Sequence, residues 1–161
     1  MAESEIRLAR STECIELAEL SRVAIEYDLR WRWKPSKIVS LIRSKEHSVI
    51  VARNKNTELQ GFAAMEFKST YAHLVLLATK TQFRRQKIAS KLLEWLEQSA
   101  TIAGMDYVSL EVRRGNQAAV RFYERQGFTV EQVKSGYYEG REDAYKMRHD
   151  LIDRSMAEQR P

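Results

Sequence analysis

Residues 71 to 103 read Y-A-H-L-V-L-L-A-T-K-T-Q-F-R-R-Q-K-I-A-S-K-L-L-E-W-L-E-Q-S-A-T-I-A. Leu74 to Ala78 is an unbroken apolar run of strand length. From Ile88 onward, Ile88, Leu92, Leu93, Trp95, Leu96, Ala100 and Ala103 recur with the 3.6-residue period of an amphipathic helix. The polar turn between them carries Arg84, Arg85, Gln86 and Lys87. A strand that enters a helix through a basic turn makes a place for an anion. The first helical turn has N–H groups without intrahelical acceptors and the positive end of the macrodipole, and here cationic side chains stand beside it. Taken alone, the stretch fits a phosphate-bearing ligand and also a solvated basic turn.

Outward from this centre, the chain reads as one domain over residues 1–150 followed by a polar tail at 151–161. Its 161 residues suit a single core, and two prolines and six glycines leave little for linkers. Hydrophobic residues make up 43% and charged residues 30%, the balance of a soluble globular protein. No run approaches 18 apolar residues and M-A-E-S-E is acidic, so neither a membrane span nor a leader peptide is expected, and the cytoplasm is the expected compartment. The single cysteine, Cys14, excludes an internal disulfide and a cysteine-based zinc cluster, and falls on an apolar helical stripe as buried filler. The net charge of +5 is scattered among both signs rather than gathered in a basic block.

Ile6 to Ala9 reads as a strand. Ser11 or Thr12 then caps a helix whose apolar residues Cys14, Ile15, Leu17, Ala18, Leu20, Val23, Ala24 and Tyr27 share a broad face. The aromatic-basic segment Trp31-Arg32-Trp33-Lys34 follows, and Pro35 opens a second helix to about Arg43. Ser48–Arg53 and Leu59–Phe67 form a hairpin. Beyond the central strand and helix come a strand at Tyr107–Arg113 and a helix from Asn116 to Gly127. Strands at Phe128–Val133 and Ala144–His149 follow, with a loop at Gly136–Glu142 between them. Hairpin and crossover connections together predict a mixed sheet with helices on both faces.

F-R-R-Q-K-I-A-S-K-L-L resembles the coenzyme A pyrophosphate loop of the GNAT acetyltransferase superfamily, Arg/Gln-x-x-Gly-x-Gly/Ala before a helix. Arg84 takes the first place and Ala89 the last; Lys87 stands where the family has glycine, at a position expected to be helical. L-E-V-R-R-G-N-Q-A-A-V-R-F-Y-E-R-Q-G-F is similar to the matching segment of ribosomal-protein-alanine N-acetyltransferases. Glu111, Asn116, Tyr123 and Gly127-Phe128 stand at that family's spacing, and G-Y-Y-E-G-R-E-D-A at 136–144 resembles its final loop and strand. The element order is likewise the GNAT order. The resemblance implies an α/β fold with a mixed, mostly antiparallel sheet splayed between its fourth and fifth strands.

It also implies acetyl-CoA as cofactor. The expected binding groups are backbone N–H and C=O of Leu77, Ala78 and Thr79, the turn Arg84, Arg85, Gln86, Lys87, Ile88, Ala89 and Ser90, and Asn116, which local sequence makes a helix N-cap. Glu111 is the expected base and Tyr123 the hydrogen donor to the leaving thiolate. Without the resemblance, Glu111 reads equally as a strand carboxylate paired with a nearby arginine, and Tyr123 as a packing residue. Trp31, Trp33, Tyr137 and Tyr138 become walls of the acceptor groove. No metal is implied, and His47, His73 and His149 show neither metal spacing nor a Ser or Cys partner pattern. The implied acceptor is a primary amine, foremost a protein N-terminus. A small amine (polyamine, antibiotic or amino acid) and aminoacyl-tRNA are the alternatives, and a non-catalytic acetyl-CoA-binding module on this fold is the rival. A monomer and a homodimer both fit.

Overall fold

The computed structural model describes residues 3–152; the expected tail lies outside the described residues from 153 onward. Strand β1 (Glu5–Leu8) is followed by a 3-10 turn at Ser11–Glu13, helices α1 (Cys14–Ala24) and α2 (Pro35–Arg43), and strands β2 (His47–Arg53), β3 (Leu59–Phe67) and β4 (Ala72–Thr79). Helix α3 (Ile88–Ile102), strand β5 (Tyr107–Arg113), helix α4 (Gln117–Arg125) and strands β6 (Thr129–Tyr138) and β7 (Glu142–Asp150) complete it. The hydrogen-bonded strand order is β1-β2-β3-β4-β5-β7-β6, a mixed and mostly antiparallel arrangement as expected. Two compact units are distinguished among the described residues, one from 3–66 and 74–96, the other from 67–73 and 97–152.

In the first unit, β1 pairs antiparallel with β2 from Glu5↔Arg53 to Leu8↔Ile50, and β2 with β3 from His47↔Glu66 to Arg53↔Leu59. Leu17, Ala18, Ile38, Val51 and Phe62 are fully buried in its core. Neither Ser11 nor Thr12 caps the first helix. Glu13 does the work there: its carboxylate accepts the Arg10 N–H at 2.8 Å, Arg7 at 2.8 Å and Arg53 at 2.6 Å. The apolar face of α1 is also narrower than its sequence suggests. Ile15 and Val23 are 64% and 70% exposed because they lie more than about 100° around the helix from the buried Ser21. Tyr27, beyond the helix end, is also exposed, whereas Cys14 packs partly buried against the core.

Helix α3 seats Ile88, Leu92, Leu93, Leu96 and Ala100 as its periodicity predicts, but Ala103 falls past the helix end and is exposed. A glycine at 61 makes its docking possible. A Cβ there would lie 2.7 Å from the Ala78 carbonyl oxygen and 3.2 Å from Ile88 Cγ2.

In the second unit, β5 pairs with β7 along its whole length, Tyr107↔Asp150 to Arg113↔Ala144, and β7 pairs with β6 from Thr129↔Arg148 to Tyr138↔Glu142. The start of β4 adds parallel partners to β5 at Ala72↔Val108 and His73↔Ser109. The loop expected at Gly136–Glu142 shrinks to a turn, since β6 runs on to Tyr138. A register shift between Lys134 and Tyr138 absorbs Gly136 at φ 60, and its N–H donates to Asp143 Oδ1 at 2.9 Å. Helix α4 begins as expected, with Asn116 Oδ1 accepting the Ala119 N–H at 3.2 Å.

Candidate active site

The basic turn belongs to the first unit. Strand β4 ends at Thr79, a 3-10 turn spans Thr81–Phe83, and Arg84, Arg85, Gln86 and Lys87 are all exposed before α3 starts at Ile88. The buried Ile88 pins the end of the turn. Lys87 is not helical. Its φ is 60 and that of Arg85 is 71, so both occupy the left-handed region that side chains disfavour. The family's glycine at this position thus answers a backbone requirement as well as close approach. The Lys91 N–H donates to Lys87 O at 3.0 Å, which makes Lys87 the last residue before the helix and leaves the Ile88 and Ala89 N–H groups without an acceptor inside the helix. Three cations and a helix N-terminus fit a diphosphate here.

Upstream, Leu77, Ala78 and Thr79 are the last residues of β4, with Ala78 buried and its neighbours half-buried. Thr79 Oγ1 is buried without a hydrogen-bond partner among the described protein groups. Trp31 and Trp33 pack partly buried against the first unit's core, under cations from Arg22 (5.0 Å) and Lys37 (5.2 Å). Their segment is tied down by Glu26, 6% exposed, whose Oε1 accepts the N–H groups of Arg32 (2.6 Å) and Trp33 (3.1 Å) while Oε2 accepts Ser21 Oγ–H (3.0 Å). A cavity of about 460 Å³ lies between α1 and the turn, lined by Leu20 and Val23 on one side and Thr79, Lys80 and Arg84 on the other.

In the second unit, Glu111 lies on β5 with both carboxylate oxygens engaged. His73 Nε2 is 2.9 Å from Oε2, and Lys134 Nζ is 2.9 Å from Oε1. Burial by itself raises the carboxyl, but the hydrogen bonds and charges of His73 and Lys134 outweigh it and hold Glu111 at about 2. His73 Nδ1 is 2.8 Å from Ser109 Oγ, so a continuous chain runs Lys134–Glu111–His73–Ser109. Strand geometry builds this chain. Ser109 and Glu111 are two apart on β5 and share a face, and His73 stands opposite Ser109 in the parallel register.

The sequence shows no Ser partner pattern for the histidines, yet the fold brings serines to two of them. Besides His73, His47 meets Ser44 at 2.8 Å and His149 meets Glu97 at 2.7 Å. The partner of Glu111 is likewise a histidine and a lysine rather than an arginine.

Tyr123 is partly buried on α4, edge-on to Phe122 (5.1 Å) and Phe128 (5.6 Å). Burial, and secondarily the Tyr138 phenol, push its hydroxyl well above the ordinary tyrosine range. Tyr137 and Tyr138 meet edge-to-face at 4.9 Å, with Lys134 Nζ 5.1 Å from the Tyr137 ring and Arg113 5.6 Å from that of Tyr138. Glu111, Tyr137 and Tyr138 are thus brought into one neighbourhood, to which Lys134 and His73 belong as well.

The acetyltransferase (GNAT) family matches residues 11–128, most of the chain. The chain belongs to that family. Among curated relatives of this GNAT chain is the catalytic subunit NAA10 of the N-terminal acetyltransferase A complex of Arabidopsis thaliana, 36% identical over 107 residues. The match covers 63% of this chain and spans 56% of that relative's length. The crystal structure of the ribosomal-protein-S18-alanine N-acetyltransferase from Escherichia coli superposes with a TM-score of 0.81 at 23% identity, covering 94% of this chain and 96% of that one. A PaiA N-acetyltransferase from Thermoplasma acidophilum, solved in complex with coenzyme A, gives 0.80 at 21%, covering 92% and 99%. At these identities the superpositions establish the shared fold.

Sequence reasoning missed Glu26, His73, Ser109 and Lys134. Lys134 and Glu26 carried no local signal. The pairing of His73 with Glu111 needed the parallel register of β4 and β5, which a sequence does not display.

Proposed function

We propose that this protein is an N-acetyltransferase that transfers the acetyl group of acetyl-CoA to a primary amine, foremost the α-amine of a protein N-terminus. The exposed turn Arg84–Lys87 leading into the N-terminus of α3 carries this reading. Its cations and the N–H groups of Ile88 and Ala89 hold the diphosphate, with Ser90 in the same helical turn. Backbone groups of Leu77, Ala78 and Thr79 take the pantetheine arm. Asn116 adds a contact through its NH₂, since its Oδ1 caps α4. Acetyl-CoA held there supplies an activated acyl group in the form of a thioester.

The remaining chemistry belongs to the second unit's side chains. The proton of the attacking amine passes to Glu111, directly or through a water, while His73 Nε2–H donates to Oε2 and its Nδ1 accepts the Ser109 Oγ–H. Glu111 then gives the proton up to solvent and returns to the carboxylate that the His73 hydrogen bond favours. Held at about 2 by His73 and Lys134 together, Glu111 is a weak base while both donors stay in place. Tyr123, pushed above the ordinary phenol range, stays protonated at neutral pH and offers its O–H to the departing sulfur as a hydrogen-bond donor. The α-amine is favoured because its ordinary pKa, about 8, lies below that of lysine at about 10.4, so less basicity is needed to free it. The Arabidopsis relative's name supports the same acceptor.

Free-thiol release from acetyl-CoA with a panel of peptides bearing free or blocked N-termini tests this. Release that depends on a free α-amine is the expected result. Glu111→Gln and Tyr123→Phe should each lower kcat by about 10²-fold with little change in acetyl-CoA affinity. Parental kcat in both variants would remove the catalytic assignment.

A further inference from the structure

The contact between Lys134 and Glu111 has the chemistry of an ammonium receptor. The Nζ of Lys134 is 2.9 Å from Glu111 Oε1 and 5.1 Å from the centre of the Tyr137 ring, so a carboxylate and an aromatic face hold one primary ammonium together. Glu111 is the residue that takes the acceptor amine's proton in the proposed function, and Tyr137 is one of the groove walls that the family resemblance implies. We propose that Lys134 occupies the acceptor's ammonium subsite in the resting protein, and that a primary amine substrate enters by displacing it. The inference rests on the function proposed above for the identity of the ligand, but the subsite itself rests on the geometry.

Several features favour a placeholder over a permanent strut. The Lys134 side chain is 31% exposed against 12% for Glu111, so it reaches the carboxylate from the solvent side and has somewhere to go. It springs from β6 at the place where the register with β7 shifts, between Lys134 and Tyr138, and not from a regular stretch of ladder. Glu111 keeps a second partner, His73, when Lys134 leaves, so displacement does not strand a buried charge. The hydrogen bond to Glu111 raises the Lys134 pKa, which keeps the side chain an ammonium and therefore a true competitor at neutral pH. The receptor fits a primary ammonium with hydrogens to donate. A quaternary ammonium lacks the donor that Glu111 Oε1 takes from Lys134.

The test uses n-butylammonium as a probe of the subsite and needs no turnover. Its binding is followed through the Tyr137 and His73 ring signals by NMR, in the full-length protein and in Lys134→Met, with Lys134→Gln as the second neutral variant. The vacated subsite should bind the probe about five- to tenfold more tightly. Lys134→Arg should stay near the parent, and adding Glu111→Gln to Lys134→Met should abolish the gain. In peptide kinetics, Lys134→Met should lower the acceptor KM by a similar factor without lowering kcat. Equal probe affinity in the parent and both neutral variants would overturn the inference, as would a higher acceptor KM in Lys134→Met. The two readings fail separately. If the probe binds more tightly in the variants but no amine is acetylated, the subsite stands and the proposed function falls. If peptides are acetylated while probe affinity and KM are unmoved, the function stands and the placeholder falls.

Discussion

Replacing Lys87 by glycine separates two roles that one residue performs in the basic turn. With φ at 60, Lys87 holds its Cβ in the left-handed region, at a cost of roughly 1–2 kcal/mol for an L-residue. Glycine removes that cost but brings about 0.4–1 kcal/mol of extra unfolded-state entropy. The net expectation is a gain of about 0.5–1 kcal/mol, or roughly 2–3 °C in melting temperature for a chain of this size. Lys87→Ala keeps the Cβ and gains nothing from the backbone, so the glycine variant should melt above the alanine variant. Both variants lose the exposed ammonium beside the helix N-terminus. Coenzyme A affinity, measured by calorimetry at low salt, should therefore fall by about two- to fivefold in both, and the loss should shrink as salt is raised. Differential scanning calorimetry and a salt series on the two variants give both readings from the same preparations. A glycine variant that melts at or below the alanine variant would refute the strain argument. Tighter cofactor binding in Lys87→Gly alone would show that the side chain had been crowding the diphosphate.

Gly127→Ala should destabilise the second unit by about 1–2 kcal/mol or more, read as a lower urea midpoint. Gly127 has φ 99, and a Cβ there would lie 2.8 Å from Nε2 of His149, whose ring is held by Glu97. An unchanged midpoint would mean that His149 gives way freely. Glu13 predicts an acid-sensitive stability in the first unit. Burial raises its carboxyl, yet the hydrogen bonds from Arg7, the Arg10 backbone and Arg53 prevail and hold it at about 2 against 4.5 for the free group. A depressed carboxyl contributes stability that is whole above about pH 4.5 and fades as pH falls towards 2, on the order of 3 kcal/mol in all. The stability difference between the parent and Glu13→Gln should therefore shrink as pH is lowered from 5 to 2.5, and a difference that stays constant would remove the pairing as its cause.

Local sequence carried the elements whose signals are themselves local. The apolar run at Leu74–Ala78, the stripe of α3, Pro35 at the first position of α2 and the Asn116 cap all appear where their side chains demand. What escaped was set by distant partners. No side chain on β7 announces that this strand inserts between β5 and β6, because a strand's own pattern gives it a buried face and not its neighbours. Ile15 and Val23 are apolar and helical, as expected, yet exposed, since periodicity gives a face a width but not the partner that covers it. Ser11 and Thr12 are good caps by type, but a glutamate with three donors within reach stabilised the same turn more strongly.

The candidate site divides along the same line. Glycine or lysine at 87 is a property of the turn alone, and the turn was legible apart from its backbone angle. The chemistry of Glu111 is a property of His73, thirty-eight positions earlier, and Lys134, twenty-three positions later. A carboxylate in mid-strand can be a base, an anchor or one half of an ion pair, and its type does not choose among them. The choice is made by the donors that the parallel β4–β5 register and the β6 bulge deliver to its two oxygens. With both donors present Glu111 is a poor proton acceptor; with Lys134 exchanged for a substrate ammonium it faces the one proton that the reaction must remove, while His73 keeps hold of its other oxygen. The same pairing that argues against Glu111 as a base in the resting protein thus describes how acceptor binding would make it one.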